Sequence, residues 1–388
     1  MSVCMVGWSH TRFGKLDDDD LEALVTTAAA DAIADAGLAP ADIDEIFLGT
    51  FNAGMENQDF AASLVLQVDD SMRFKPATRF ENACASGSAA LYGAIDAIRA
   101  RRTRVALVVG VEKMTSAGLD KVTESLAKAS YHKEEAGAGL SFPGIFGQLA
   151  QRYFQQYGDQ SDALAQIAAK NHRNGSVNPL AHLQKDLGFD FCRQVSDKNP
   201  IVAAPLKRTD CSTVADGAAA AVLTDVDTAL GMKKAVIFRA AQHVNDILPM
   251  SRRDVLAMEA PRLAWQRAVD QAGVTLDDLS LAEVHDCFTV AELLVYEAMG
   301  LTAEGEGARA IAEGWTEKDG KLPVNPSGGL KSKGHPVGAT GVSMHVLAAQ
   351  QVTGTAGPIQ VPGAELAAVF NMGGAMVANY ASILQALR

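Results

Sequence analysis

The chain has 388 residues, of which 48% are hydrophobic and 21% are charged, and this content suits a large folded core rather than a disordered chain. The formal net charge of -12 disfavours nonspecific attraction to nucleic acid or to an anionic membrane surface. An anionic substrate therefore needs a local cluster of basic side chains.

The N-terminal residues lack the long apolar region of a signal peptide, and the sequence contains no run of about 18 apolar residues that could span a bilayer. The 5 cysteines are widely spaced and form no CxxC pair, which argues against a disulfide framework and a structural zinc site. We expect a cytoplasmic protein that binds neither nucleic acid nor membrane and holds no metal.

The first predicted helix covers residues 21–36, where apolar side chains recur at helical spacing after an acidic run at residues 17–20. Gly37 is predicted to end this helix, and a strand follows within residues 42–49. Residues 262–288 repeat this order of helix, Ala-Gly stop, Asp-rich turn and strand. The repetition indicates a duplicated architecture.

A second pair of segments supports the repeat. Residues 84–98 and 335–349 both resemble turns of small residues that open a helix, and each precedes a short apolar strand ending in glycine, at 104–110 and 367–374. We therefore predict an α/β protein built from two duplicated βαβ-type halves. The first residues of the two turns, a cysteine and a histidine, hold equivalent positions in the repeat.

The repeat also predicts the domain organisation. The N-terminal half comprises residues 1–116 and 206–234, and the C-terminal half comprises residues 235–388. Residues 117–205 have no counterpart in the repeat and are predicted to form an inserted lid. Two helices are predicted within it, near residues 146–154 and 163–170.

Cys84 is the first candidate for chemistry. It lies among small residues directly before a predicted helix, whose free N–H groups would favour a thiolate and stabilise an oxyanion. A lone cysteine is more often a small buried packing residue, so this position alone does not establish a nucleophile. The other motifs decide between the two interpretations.

His335 occupies the glycine-rich turn at residues 332–341, a setting that can hold an imidazole rigidly near a thiol. A general base must lie within hydrogen-bond reach of its nucleophile. The alternative is a capping or surface-loop histidine. The place of His335 opposite Cys84 in the internal repeat favours the catalytic interpretation.

His285 and Cys287 lie in the segment Glu-Val-His-Asp-Cys-Phe at residues 283–288, between a predicted strand and a helix. Catalytic groups of α/β proteins are placed at such strand ends. A metal site or a buried polar turn are the alternatives, although a zinc site would need further ligands at suitable spacing. In a fourth segment, residues 371–374, glycines allow a backbone N–H to approach a ligand.

Together these segments resemble the thiolase superfamily over nearly the whole chain. Residues 82–88 are similar to its nucleophile motif, residues 325–341 to its Gly-His-Pro motif, and residues 211–223 to the strand that closes the first half. The resemblance implies the thiolase fold, with a layered α-β-α-β-α core. It also implies an acyltransferase that uses coenzyme A as substrate and product, through thiolysis of a 3-ketoacyl-CoA, as in β-oxidation, or the reverse Claisen condensation.

Residues 283–288 and 371–374 most resemble the sterol-carrier type of thiolase, here without a fused carrier domain. Other thiolases carry Asn-Glu-Ala-Phe and Cys-x-Gly at these two places. The C-terminal cysteine that often moves the substrate α proton is therefore missing from this sequence. The resemblance assigns that role to Cys287.

The resemblance also implies the remaining roles. His335 would take the proton of Cys84, whose thiolate would form the acyl-enzyme. The backbone N–H groups of Cys84 and Gly373 would stabilise the oxyanion on the Cys84-bound carbonyl. His335 and His285 would stabilise the enolate oxygen, and Cys287 would protonate the enolate.

Several alternatives remain open, because the motifs do not specify the acyl group. The substrate alternatives are a benzoylsuccinyl-CoA-like aromatic compound and a steroid side chain, with a small zinc-ribbon/OB-fold protein as partner. Another condensing enzyme of the same fold and a noncatalytic acyl-CoA-binding protein are the functional rivals. By resemblance we expect a homodimer or homotetramer.

Overall fold

The protein is described from a computed structural model that covers residues 2–387. The strands are β1 (Val3–His10), β2 (Glu45–Gly49), β3 (Ala77–Phe80), β4 (Val105–Glu112), β5 (Ile201–Ala203), β6 (Leu206–Lys207), β7 (Gly217–Asp225), β8 (Val236–Asn245), β9 (Leu281–Val284), β10 (Leu366–Gly373) and β11 (Ala378–Ala386). The helices are α1 (Leu21–Asp35), α2 (Ala61–Leu64), α3 (Ser86–Arg99), α4 (Leu119–Ala127), α5 (Phe142–Tyr157), α6 (Ser161–Ser176), α7 (Gly188–Arg193), α8 (Val226–Ala229), α9 (Glu259–Ala272), α10 (Thr289–Ala298), α11 (Gly307–Ala312), α12 (Gly329–Lys333) and α13 (Thr340–Val352).

Nine of these strands form one mixed sheet in the order β3-β2-β4-β7-β1-β8-β11-β10-β9, and β5 pairs with β6 separately. The pairs β2/β3, β2/β4 and β9/β10 are parallel, whereas the other neighbours are antiparallel. The strands β1 and β8 meet over a short register that includes Cys4 and Met5. This junction divides the sheet into two halves.

The predicted duplication is confirmed by the order of elements. The first half runs β1, α1, β2, β3, α3, β4 and β7, and the second half runs β8, α9, β9, α13, β10 and β11. A bridge between Ala282 of β9 and Val324 takes the place that the β2/β3 pair has in the first half. Cys84 and His335 precede the equivalent helices α3 and α13.

The helices and sheet halves stack in the predicted α-β-α-β-α order. The outer helix α1 packs on β1, β4 and β7, and the outer helix α9 packs on β8 and β11. The helices α3 and α13 lie between the two halves, because α13 contacts β4 and β7 as well as β10 and β11. A Cβ on Gly87 of α3 would lie 2.6 Å from the carbonyl oxygen of Gly338, so the close approach of the two helix starts requires glycine.

Strand β4 shows why the first half is buried on both faces. Leu107 and Val109 belong to the core beneath α1, whereas Ala106 and Val108 face the central helices. Successive side chains of a strand point to opposite faces, so a strand covered by helices on both sides is apolar throughout.

The predicted helices within residues 117–205 are confirmed as α5 and α6. The helix α6 is more than a surface cover, because it packs against α10 and α12 and its side chains Lys170, Asn171 and His172 are buried. The insertion therefore supplies part of the interior that supports the candidate site. None of the helices in residues 2–387 is long and apolar enough to cross a membrane.

Candidate active site

Three chain segments meet at Cys84. The cysteine precedes α3, His335 lies between α12 and α13, and the segment with His285 and Cys287 connects β9 to α10. The sulfur of Cys84 and one ring nitrogen each of His285 and His335 lie within 4.8 Å of one another, and all three side chains are buried. The two imidazole rings meet edge to face, with centroids 5.3 Å apart. The structure thus brings together three of the four side chains that the sequence singled out.

The protonation of His335 follows from its contact with Thr340. The Nδ1 atom of His335 lies 2.6 Å from the Thr340 hydroxyl, which donates to the carbonyl oxygen of Pro336 at 2.9 Å. Because a hydroxyl has a single hydrogen, Thr340 can only accept from His335, and Nδ1 must carry the proton. The Nε2 atom of neutral His335 is then an acceptor, and it has no hydrogen-bond partner within residues 2–387. This tautomer is the one that a general base requires.

His285 has the opposite tautomer. The amide nitrogen of Asn371 donates to His285 Nδ1 at 3.0 Å, while the amide oxygen of Asn371 accepts from the Ser88 hydroxyl at 2.7 Å. Since Nδ1 accepts, the proton of neutral His285 resides on Nε2. That N–H is buried and unpartnered among the described residues. The site therefore combines one free acceptor, on His335, with one free donor, on His285.

Burial has the largest effect on the pKa values of Cys84 and His335. Burial raises the pKa of the Cys84 thiol to about 12, although the backbone N–H groups of Gly374 and Cys84 act in the opposite direction. Burial, and then the Lys333 ammonium, lower the pKa of His335 to about 3. The N–H groups at the helix start favour a thiolate as expected, but burial has the larger effect on the pKa of Cys84. The pair rests as a neutral thiol and a neutral imidazole, because desolvation outweighs the few N–H groups directed at the sulfur.

The glycines at the end of β10 pack directly against the turn that carries Cys84. A Cβ on Gly373 would lie 2.3 Å from the carbonyl oxygen of Asn82, so only glycine fits at this position. The neighbouring Gly374 directs its backbone N–H at the Cys84 thiol. The oxyanion role predicted for Gly373 stays a prediction, and Gly374 is a second donor that the sequence did not single out.

Cys287 is buried close to Cys84. Burial, and next the negative charge that Cys84 would carry, raise the pKa of Cys287 well above its ordinary value. Its carbonyl oxygen accepts a hydrogen bond from the backbone N–H of Ser212 at 2.9 Å. A neutral thiol held in this way has a proton to donate, which is compatible with the predicted role of Cys287 in proton transfer.

A buried polar network holds the segment that carries His285 and Cys287. Asn171 of α6 donates to Asp286 at 2.8 Å and to Glu292 at 2.6 Å, and Lys170 forms an ion pair with Glu292 at 2.8 Å. Asn325 also donates to Glu292, at 2.9 Å. Burial and the neighbouring Glu292 charge raise the pKa of Asp286 to about 7. The network holds the segment that carries His285 and Cys287 against α6.

Glu112 performs a similar task beside Cys84 and His335. Its buried carboxylate accepts hydrogen bonds from the backbone N–H groups of Phe51, Asn52 and Gly338 at 2.8–2.9 Å. Gly338 belongs to the turn between His335 and α13, so a side chain at the end of β4 holds the turn that carries His335. Sequence reasoning missed this residue, since a single acidic residue after an apolar strand has no distinctive spacing.

The trio of Cys84, His285 and His335 is also a group of donors close enough to hold a metal ion. Tetrahedral zinc would need a fourth ligand at this trio. It would also need the lone pair of His285 Nε2, which the contact with Asn371 converts into an N–H donor. The hydrogen bonds therefore fit acid-base chemistry better than metal binding, and the absence of a metal stays a prediction.

Two cavities lie beside segments that adjoin the trio. One has a volume of about 740 Å³ and is lined by Asn82, Ala83 and the two glycines Gly373 and Gly374 on the Cys84 side. The other has a volume of about 440 Å³ and is lined partly by Thr213, which follows the residue that bonds to Cys287. Neither cavity is lined by Cys84, His285, Cys287 or His335, so both border the segments around these side chains.

Comparisons with known proteins agree with this architecture. Residues 3–227 match the family model described as Thiolase, N-terminal domain, and residues 241–386 match the model described as Thiolase C-terminal domain-like. The chain is 37% identical to acetyl-CoA acetyltransferase of Methanothermobacter thermautotrophicus, over 96% of each chain. It is 30% identical to Sterol carrier protein 2 of Homo sapiens, over 96% of this chain and 70% of that protein.

Among solved structures, the Ltp2-ChsH2(DUF35) aldolase superposes with a TM-score of 0.85 at 22% sequence identity, over 100% of this chain and 98% of that chain. At this level of identity the likeness concerns the fold alone. The nine-stranded sheet and its layered helices therefore belong to an architecture that is found in solved proteins.

Proposed function

The chain belongs to the thiolase family and is an acyltransferase, and we propose that it forms its acyl-enzyme on Cys84 with His335 as the general base. The observation that carries this proposal is the buried cluster in which Cys84 Sγ lies within 4.8 Å of a ring nitrogen of both histidines. The tautomers give the two histidines different roles, because His335 offers a hydrogen-bond acceptor and His285 offers a donor.

In thiolysis, His335 Nε2 takes the proton of Cys84, and the thiolate attacks the keto carbon of a 3-ketoacyl-CoA. The backbone N–H groups of Cys84, Gly373 and Gly374 stabilise the resulting oxyanion. The bond between the α carbon and the keto carbon then breaks, and its electron pair passes to the departing acetyl-CoA enolate. The acyl group remains on Cys84 as a thioester.

The enolate oxygen accepts the hydrogen bond of His285 Nε2–H, and Cys287 donates its proton to the α carbon. The thiol of coenzyme A then gives its proton to the Cys287 thiolate and attacks the acyl-enzyme. Cys84 leaves as a thiolate and recovers its proton from the His335 imidazolium. Acyl-CoA and acetyl-CoA are the products, and condensation follows the same steps in reverse.

The covalent step is tested by intact-protein mass spectrometry after incubation with acetyl-CoA and with acetoacetyl-CoA. We expect a mass increase of one acetyl group that is absent in Cys84→Ala and present in Cys4→Ala. Cys4 lies in β1 beneath α1 and is a matched control for loss of a buried thiol. A folded protein that binds these thioesters without acylation of Cys84 would instead be the noncatalytic acyl-CoA-binding protein.

We further propose that the chain acts as a sterol-carrier-type thiolase. The contact that supports this assignment is the hydrogen bond from Asn371 to His285, since these are the two segments that carry the resemblance to that type. A thiolysis panel should run from acetoacetyl-CoA through longer 3-ketoacyl-CoAs to benzoylsuccinyl-CoA and a steroid side-chain thioester. Activity confined to the last two substrates would favour the alternatives that involve a small zinc-ribbon/OB-fold partner.

We also propose a homodimer formed through the edge strand β3. This strand pairs only with β2 among the described residues, and the nearby side chains of Phe60 and Phe74 are 80% and 90% exposed. An unpaired edge beside apolar side chains is a template for a second copy. Light scattering should give a dimer that Phe74→Glu weakens and Leu263→Glu, on the outer helix α9, leaves intact. A monomeric wild-type chain would contradict this assignment.

A further inference from the structure

The smaller cavity has a buried cation at its wall. Lys331 of α12 lines this cavity of about 440 Å³, and its side chain is 98% buried because only 2% of the residue is exposed. Its ammonium forms no ion pair with a carboxylate of residues 2–387. A buried charge without a partner is costly, so such a group is seldom found without a function.

Asp210 and Asp286 are the carboxylates that act most strongly on the charge of Lys331, and both already accept hydrogen bonds from other groups. Asp210 accepts from the Lys207 ammonium at 2.7 Å and from the Thr289 hydroxyl at 3.0 Å. Asp286 accepts from Asn171 at 2.8 Å and from backbone N–H groups of α12. The ammonium of Lys331 is therefore left for a group that enters the cavity.

A second buried group lies on the same wall. His172 of α6 is 1% exposed, and neither of its ring nitrogens has a hydrogen-bond partner within residues 2–387. Burial, and then the Lys331 charge, lower the pKa of His172 to about 3, so the imidazole is neutral and has one N–H to donate. Three further cations line the cavity, namely Lys185, Lys198 and Arg208, together with Asp186.

The cavity lies on the Cys287 side of the reacting centre. The backbone N–H of Lys331 donates to Asp286 at 3.2 Å, and Asp286 stands between His285 and Cys287 in the chain. Lys331 precedes His335 by four residues, so their Cα atoms are at most about 14 Å apart. The wall of this cavity is thus joined by short chain segments and hydrogen bonds to the residues that carry the proposed chemistry.

We propose that Lys331 and His172 form a subsite for an anionic group of the thioester substrate, and that Lys331 determines specificity for it. This inference rests on the proposed thiolase function. The anionic group is a carboxylate on the acyl part or a phosphate of coenzyme A, both of which match an ammonium beside an N–H donor. The other cations at the cavity would favour entry of either group.

The test compares kcat/KM for three substrates: a 3-ketoacyl-CoA with a neutral chain, the same compound with a terminal carboxylate, and the neutral 3-ketoacyl group on pantetheine, which has no phosphate. We expect Lys331→Met to lower kcat/KM on the order of tenfold or more for the substrates that carry the recognised group. A loss confined to the carboxylated compound identifies an acyl carboxylate. A loss for both CoA thioesters, with the pantetheine compound unaffected, identifies a phosphate.

Lys233→Met, at an exposed position before β8, is the matched control and should leave all three values unchanged. Unaltered values in folded Lys331→Met and Lys331→Gln would overturn the proposal, as would an equal loss for the pantetheine compound. Acylation of Cys84, measured in the same variants, separates failure of the subsite from failure of the thiolase mechanism.

Discussion

Thr340→Val removes the hydroxyl that fixes the tautomer of the base and keeps the branched shape of the side chain. In the native site the hydroxyl accepts from His335 Nδ1 at 2.6 Å and donates to the carbonyl oxygen of Pro336 at 2.9 Å. The variant leaves a buried N–H without a partner and allows the proton to move to Nε2. A His335 protonated at Nε2 in its neutral form cannot accept the proton of Cys84.

The expected magnitude follows from the lost hydrogen bond. Leaving a buried donor unsatisfied costs about 1–3 kcal/mol. If this loss falls on the step in which the thiol is deprotonated, the rate decreases by about 5- to 150-fold. The rate of Cys84 acylation, followed by rapid quench and mass spectrometry, measures this step separately from product release.

Thr340→Ser is the matched control, because it retains the hydroxyl and loses only a methyl group. We expect it to restore most of the acylation rate. A Thr340→Val protein that folds normally and acylates Cys84 as fast as the wild type would refute the tautomer argument, since Nδ1 would then not need its partner.

Three other predictions concern the site and its support. Burial raises the pKa of Cys84 to about 12. Alkylation of the free enzyme by iodoacetamide should therefore accelerate about tenfold per pH unit between about pH 6 and 9. A plateau in this rate would indicate a resting ion pair with His335. Cys287→Ala should lower kcat for thiolysis by about 100-fold or more, and preserved activity would reassign the proton transfer. Lys170→Met should lower the free energy of unfolding in urea by about 3–5 kcal/mol, because it leaves Glu292 buried without its cation. A double variant with Glu292→Met should recover part of that loss, and an additive loss would contradict the coupling.

Much of the architecture was predictable, because duplication leaves its trace in the order of sequence patterns. The repeat that relates residues 84–98 to 335–349 reappears as the equivalent helices α3 and α13, and it placed Cys84 and His335 at matching helix starts. The segment with His285 and Cys287 was recognisable because its polar residues interrupt an apolar strand-to-helix connection.

The charge state of Cys84 and the hydrogen bonds that hold the site in place were not predictable from the sequence patterns. The neutral resting form of Cys84 depends on how completely other segments exclude water, which no local motif records. Thr340 and Asn371 lie inside motifs that were noticed, but their roles depend on rotamers and on contacts with other segments. Lys170 and Asn171 belong to an insertion without a counterpart in the repeat, so the repeat carried no information about them.

The position of α13 also bears on how the chain can be divided. This helix belongs to the second half in sequence, yet it covers apolar faces of β4 and β7 in the first half. A fragment that ends at residue 234 would expose those faces to water, and a fragment that begins at residue 235 would carry a central helix with one side uncovered. Although the two halves repeat one order of elements, the first half completes its interior with a helix of the second half.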